Sequence, residues 1–367
     1  MIFHPRIRHV AAKGPVFIGQ GPILSTFLSL SRNIEGFQFP ETASANTLES
    51  VAELTLAAMH HEDVHSLLPS MFQIKHELLT SSDRDLLVER ELMVRSQTDI
   101  APCRVFVCAE DGSTSVLLNG DDHIWLHMTA PGSAFRETWD RMSCLESALA
   151  RHLRFAFHPR YGYLTGAPAL VGTGLRITFL IHLPALGLSG RRKRILERLE
   201  DAGLSAAPYF PVDGKAAGNL FLISNRTTLG EREEDLGLRM TEIVTAISRE
   251  EERTRADLVT RQKLLFLNAC GRAYGLLRNT YLIPTSEALD ALSIMKLGAD
   301  SGVFRHFTRQ DWAELLLECQ PAHLCCRMNM DLSPMERGKY RAACFRERLH
   351  GPEAAAETDE TDGGAEL

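Results

Sequence analysis

The sequence has no apolar run long enough to cross a membrane, no excess of basic residues and no cysteine framework. Its longest apolar stretch, Ile177–Leu188, is interrupted by His182 and Pro184, well short of the roughly 20 residues a spanning helix needs. The N-terminus carries basic residues but no apolar core, so no signal peptide is expected. Acids outnumber bases, 47 to 40, for a net charge of −7. Six acids and no base fall in Gly351–Leu367, which leaves the rest near neutral. That excludes the clustered basic field that non-specific nucleic-acid binding needs. Neither nucleic acid nor a membrane is therefore expected as a partner. The eight cysteines are scattered; without a secretion signal they read as reduced thiols of a cytoplasmic protein.

What is present suits a globular protein: 44% apolar and 24% charged residues over 367 positions, enough for two domains. Helical spacing follows Pro40 (Leu48, Val51, Leu54, Leu56, Met59) and recurs over Asp83–Met93. Cys103–Ala109 and Ser113–Asn119 flank the turn Glu110-Asp111-Gly112 and predict a hairpin. Asp122–Met128 alternates as a third strand, and Ser133–Phe157 is helical again. Gly172–Pro184 predicts a buried strand, Arg191–Ala202 a helix stopped by Gly203, and Asn219–Arg226 another strand. From Glu231 to Leu277 a long charged helix is expected, its 249–255 stretch a solvated face or a partner surface. The rest is helical to about Leu349. The fold class is α+β: an antiparallel sheet flanked by helices over 1–235, an all-α domain over 236–350, and a disordered acidic tail over 351–367.

Four stretches carry a resemblance. The run RYGYLTGAPALVGTGLR (160–176), continuing into HLPAL (182–186), is long and specific. Asn119-Gly-Asp-Asp-His123 resembles an NEEDH box. GNLFLISNRTTLG (218–230) and LSTFLSLSRNIEGFQFP (24–40) complete the set in matching order. The chain is identified as a member of the guanidino-phosphotransferase family, most similar to bacterial protein arginine kinases. The resemblance implies transfer of the ATP γ-phosphoryl group to a guanidinium. Such chemistry needs fixed cations and Mg²⁺ around the phosphates and carboxylates that orient the guanidinium.

Measured against that pattern, most of the expected residues are absent. Phe27 and Ser29 stand where two phosphate-facing arginines are expected, and Trp125 where a third is. Glu91 replaces a nucleotide-side histidine, and Ala167 a substrate-side cysteine. Ala207-Pro-Tyr-Phe-Pro-Val212 replaces a loop that carries an arginine and a glutamate. Arg176 is the sole retained phosphate-clamp arginine. Asp121 and Asp122 keep the acids of the box as vestigial catalytic residues, Asp122 reading also as a structural hydrogen-bonding acid. Losing one preorganised donor costs roughly 10²–10³ in rate, so turnover near background is expected. An apolar plug of Phe27, Trp125 and Ala167 would fill the vacated space. No cofactor is then expected, with Mg-ATP required if the site is active; Lys215 and Arg226 are candidates to restore the lost charge.

In the C-terminal part, Arg337 and Arg341 match a motif that in protein arginine kinases binds phosphoarginine, with Gly338 in place of its acid. Their i, i+4 spacing puts them on one helix face; pairing with Glu336 and Glu347 on a solvated face is the plainer reading. His60, His61 and His65, and the group Cys319, His323, Cys325 and Cys326, read as structural rather than metal-binding. The expected function is that of a pseudokinase that regulates an active kinase partner or recruits clients to a Clp-type protease, with an activator or a second copy of the chain as further partners. The alternative is an active kinase with a rearranged site.

Overall fold

The computed structural model describes residues 3–13, 19–68, 70–212 and 215–350; the acidic tail lies outside them. Among the described residues ten strands form: β1 (Ile23–Arg32), β2 (Met71–Lys75), β3 (Val105–Ala109), β4 (Thr114–Leu118), β5 (Ile124–Pro131), β6 (Phe157–His158), β7 (Gly162–Tyr163), β8 (Leu175–His182), β9 (Leu204–Val212) and β10 (Lys215–Asn225). Eight of them build one antiparallel sheet in the order β2-β3-β4-β5-β1-β8-β10-β9, and β6 pairs with β7 apart from it. The antiparallel sheet with flanking helices expected from the sequence is therefore present. The hairpin at Glu110–Gly112 joins β3 to β4, and Gly112 takes the positive φ that its turn needs.

Both faces of the sheet are covered. Even-numbered positions such as Leu28, Leu30, Leu126 and Met128 pack with the helices Ala45–Met59, Phe135–Leu149 and Glu233–Arg261. The opposite face meets two other clusters. One joins Leu24, Phe27 and Tyr209 to Leu289, Leu292 and Trp312 of the helices Thr285–Asp300 and Arg309–Glu318. The other joins Phe106, Leu117 and Trp125 to Leu86, Leu87 and Leu324. C-terminal helices thus close over the sheet rather than standing clear of it.

The long helix differs from its sequence reading in two ways. It breaks at Gln262, where the backbone leaves helical geometry, into Glu233–Arg261 and Lys263–Asn279. Its charged stretch is not wholly solvated, because Glu251 is buried and accepts hydrogen bonds from the Ala185 and Leu186 amides at 2.7 and 2.9 Å. The carboxylate caps the short helix Pro184–Leu188, which lacks partners for its first amides. The glycines of the VGTG run are also structural: a Cβ on Gly172 would lie 2.7 Å from the Thr228 carbonyl oxygen, and one on Gly174 2.6 Å from that of Ser31. Both hold positive φ.

Candidate functional site

The candidate site is the face of β1, β5 and β8 that carries the odd-numbered residues of β1. Register places His127, Ser29 and Arg176 side by side across three strands, with Phe27 beside Thr129 and Thr178, and Ser31 beside Trp125. Directly opposed side chains in a sheet lie about 5 Å apart at Cβ, so these residues form one surface. It is largely aromatic. Trp125 stacks on His127 with ring centres 4.8 Å apart and planes at 9°, and Phe27 stacks on the other side at 6.0 Å. Phe27 and Trp125 are buried. His127 has both ring nitrogens engaged, Nδ1 at 3.0 Å from Ser29 Oγ and Nε2 at 3.3 Å from Thr129 Oγ1. Burial pulls its pKa down to about 4, so the ring is neutral at pH 7.

A second layer closes on this stack. The helix Ser81–Glu89 ends at Arg90, and Glu91 follows in the left-handed region at φ 57°, turning its carboxyl toward the buried Tyr209 of β9. Burial pushes the Glu91 carboxyl up to about 7 and the Tyr209 hydroxyl well above its usual range. Glu91 thus brings less negative charge at neutral pH than its residue type implies. The segment that replaces the expected loop, Ala207–Val212, belongs to edge strand β9, and Tyr209 is its contribution to the closed face.

Arg176 is the one arginine that β1, β5 and β8 place on this face. It is half-buried, and desolvation lowers its pKa with no opposing charge. None of the described residues gives it a hydrogen bond or a salt bridge. Asp122 is buried; its Oδ1 accepts from Asn33 Nδ2 and the Gly166 amide, both at 2.6 Å. It ties the loop after β4 to the end of β1 and to the loop before β8. Asp121 is exposed, near Arg104. Ala167 is half-buried in the 164–170 loop and belongs to neither aromatic cluster, so the plug is Phe27, Trp125, His127 and Tyr209 rather than the expected three. Arg226 lies 3.9 Å from Glu200, and the Lys215 side chain lies outside what the structure describes.

A family model described as ATP:guanido phosphotransferase, C-terminal catalytic domain, matches residues 52–254, and one described as protein-arginine kinase McsB C-terminal domain matches 250–361. The chain belongs to the ATP:guanido phosphotransferase family. Protein-arginine kinase of Syntrophomonas wolfei is 32% identical over 328 residues, covering 89% of this chain and 91% of that protein. The protein-arginine kinase of Symbiobacterium thermophilum is 32% identical over 335 residues, covering 90% and 95%. Among solved structures, a lombricine kinase matches with a TM-score of 0.56 at 17% identity, over 67% of this chain and 71% of that one. The duplicated taurocyamine kinase of Schistosoma mansoni matches at 0.53 and 23% identity, over 63% of this chain and 33% of that chain. The solved structures bear on the fold alone.

The guanidino-kinase face of this chain offers little fixed positive charge. It presents an aromatic stack, a neutral histidine and a single arginine where a polyanion needs several fixed cations.

The C-terminal motif is also rearranged. Arg341 is buried, with Nε donating to the Cys319 carbonyl at 2.7 Å and Nη1 to that of Ile283 at 2.8 Å. Arg337 is half-buried and donates to the Leu332 carbonyl at 2.9 Å, lining a cleft with Asp85, Glu89, Arg95 and Asp331. The expected partners are engaged elsewhere, Glu336 with Ser333 and Glu347 with Arg327. Among the described residues, no group of three or more His, Cys, Asp or Glu is placed to hold a metal ion, and no helix is long and apolar enough to cross a membrane. His127 and Tyr209 went unnoticed in the sequence. Period-two spacing from Trp125 would have found the first; no local pattern marks the second.

Proposed function

We propose that this protein-arginine-kinase relative binds rather than phosphorylates, acting as a pseudokinase on protein partners in the cytoplasm. The observation that carries the reading is the stack of Trp125, His127 and Phe27 on the strands where the family resemblance expects phosphate-facing arginines. Asp121 and Asp122 then remain as vestiges of the catalytic box, Asp122 kept for the loops it ties together. Arg176 remains as the vestige of the clamp. Candidate partners are an active kinase, its activator or a Clp-type protease system, with Arg337 and Arg341 as the remnant of a phosphoarginine-binding motif. Self-association is part of the proposal, supported by Leu264, Leu265 and Leu267, which are 84%, 52% and 41% exposed on the helix Lys263–Asn279. Sedimentation of the purified chain distinguishes dimer from monomer.

The competing reading is an active kinase with a rearranged site, using Mg-ATP. One observation favours it: Arg176 is a half-buried cation with no counter-charge among the described residues. Calorimetric titration with Mg-ATP separates the two. The pseudokinase reading expects no saturable heat at micromolar concentration, and a micromolar dissociation constant would overturn it.

A further inference from the structure

A cleft of about 600 Å³ opens away from the sheet face, between the N-terminal helix Pro5–Ala11 and the helices Arg309–Glu318 and Pro321–Met328. Its volume is that of a small-molecule site. On one wall stand Arg8 and Lys13, and neither is in a salt bridge among the described residues. On the other wall are Glu314 and Glu318. Both are already held by Arg348, at 2.9 and 3.3 Å, and Glu318 also by Arg327 at 3.2 Å. The unpaired charge facing the cleft is therefore positive.

The deciding group is His323, which lines the cleft and is only 9% exposed. Glu89 fixes its ring: the carboxylate lies 2.8 Å from Nδ1 and also accepts the Ala322 and His323 amides at 2.8 and 3.0 Å. A carboxylate only accepts, so Nδ1 carries a proton. Nε2, on the far side of the ring, is buried without a hydrogen-bond partner. With the proton on Nδ1, Nε2 of the neutral ring is a buried acceptor that lacks a donor. The monoanion of a phosphate monoester can serve both walls, its P–OH donating to Nε2 and its other oxygens accepting from Arg8 and Lys13, while Leu317 and Ala11 offer apolar surface to the remainder of a ligand.

We propose that this cleft binds a small phosphorylated ligand through His323, Arg8 and Lys13. The cleft shares no lining residue with the sheet face or with the Arg337 cleft, although Glu89, which holds the His323 ring, lines the latter. It stands or falls independently of the pseudokinase reading.

The test is calorimetric titration of the full chain with inorganic phosphate and with glycerol 3-phosphate, and with succinate as a dicarboxylate control. Saturable binding of the phosphate ester is expected, tighter than that of inorganic phosphate. Arg8→Ala with Lys13→Ala should weaken it at least about tenfold, as should His323→Gln. The first pair changes only partly exposed side chains, and an unaltered melting temperature shows that its fold is retained. Arg176→Ala and Arg337→Ala should leave binding unchanged. Absence of saturation to about 10 mM, equal binding of succinate, or loss of binding in Arg176→Ala or Arg337→Ala would each overturn the proposal.

Discussion

Glu91→Gln should stabilise the protein above pH 7 and change it little near pH 4.5. Burial beside Tyr209 raises the Glu91 carboxyl from its ordinary 4.5 to about 7. Below about pH 4.5 the group is protonated in both the folded and unfolded chains. Between about 4.5 and 7 the unfolded chain loses the proton while the folded one keeps it, so stability falls as pH rises. Above 7 both have lost it and the penalty is constant. A pKa unit corresponds to about 1.4 kcal/mol, and the upper bound is therefore about 3 kcal/mol. Glu91 is half-buried, and residual solvation brings the expected gain nearer 1–2 kcal/mol. Glutamine keeps the shape and a hydrogen-bonding group for Tyr209. Glu251, raised to about 7 mainly by burial, titrates in the same window in both proteins and cancels in the difference. Urea unfolding at several pH values between about 5 and 8 reads the effect. A difference independent of pH would refute the reasoning. So would a glutamine variant less stable above pH 7, because an ionised Glu91 would then be held by a nearby cation strongly enough to outweigh its burial.

The other predictions concern burial and partners. Trp125→Ala should cost about 3–5 kcal/mol, measured by chemical denaturation, because it removes one ring of the stack and opens a cavity beneath the helices. Arg341→Ala should cost about 3–5 kcal/mol by orphaning the Cys319 and Ile283 carbonyls, and Arg337→Ala less than about 1 kcal/mol in the same melts. Glu251→Ala should cost about 2–4 kcal/mol and speed amide exchange at Ala185 and Leu186, which lose their acceptor.

Much of the sheet was legible because its strands announce themselves by composition and turns: Gly112 marks the β3–β4 hairpin, and the apolar run before Pro184 becomes β8. β1, β2 and β9 were not anticipated. β2 is a short strand at one edge of the sheet, and β9, at the other edge, contains Pro208 and Pro211, which argue against a strand except at an edge. The break at Gln262 was hidden because polar periodicity continues across it. At the candidate site, motif spacing singled out Phe27, Ser29 and Trp125, and the register of β1 and β5 sets them on one face. What spacing could not give is the third dimension. His127 joins the stack by register, Tyr209 arrives from the far end of the sheet, and Ala167 stays out on its loop. Arg341 was misjudged for a related reason: helical spacing says which residues share a face, not that the face is buried against Cys319 and Ile283.

The central claim is that the aromatic closure of the guanidino-kinase face leaves no phosphoryl transfer. The direct test is incubation of the full chain with Mg-ATP and an arginine-rich protein substrate, with acid-labile phosphoarginine read by mass spectrometry under neutral conditions. The account predicts no phosphoarginine above the enzyme-free background. Robust ATP-dependent turnover would contradict it.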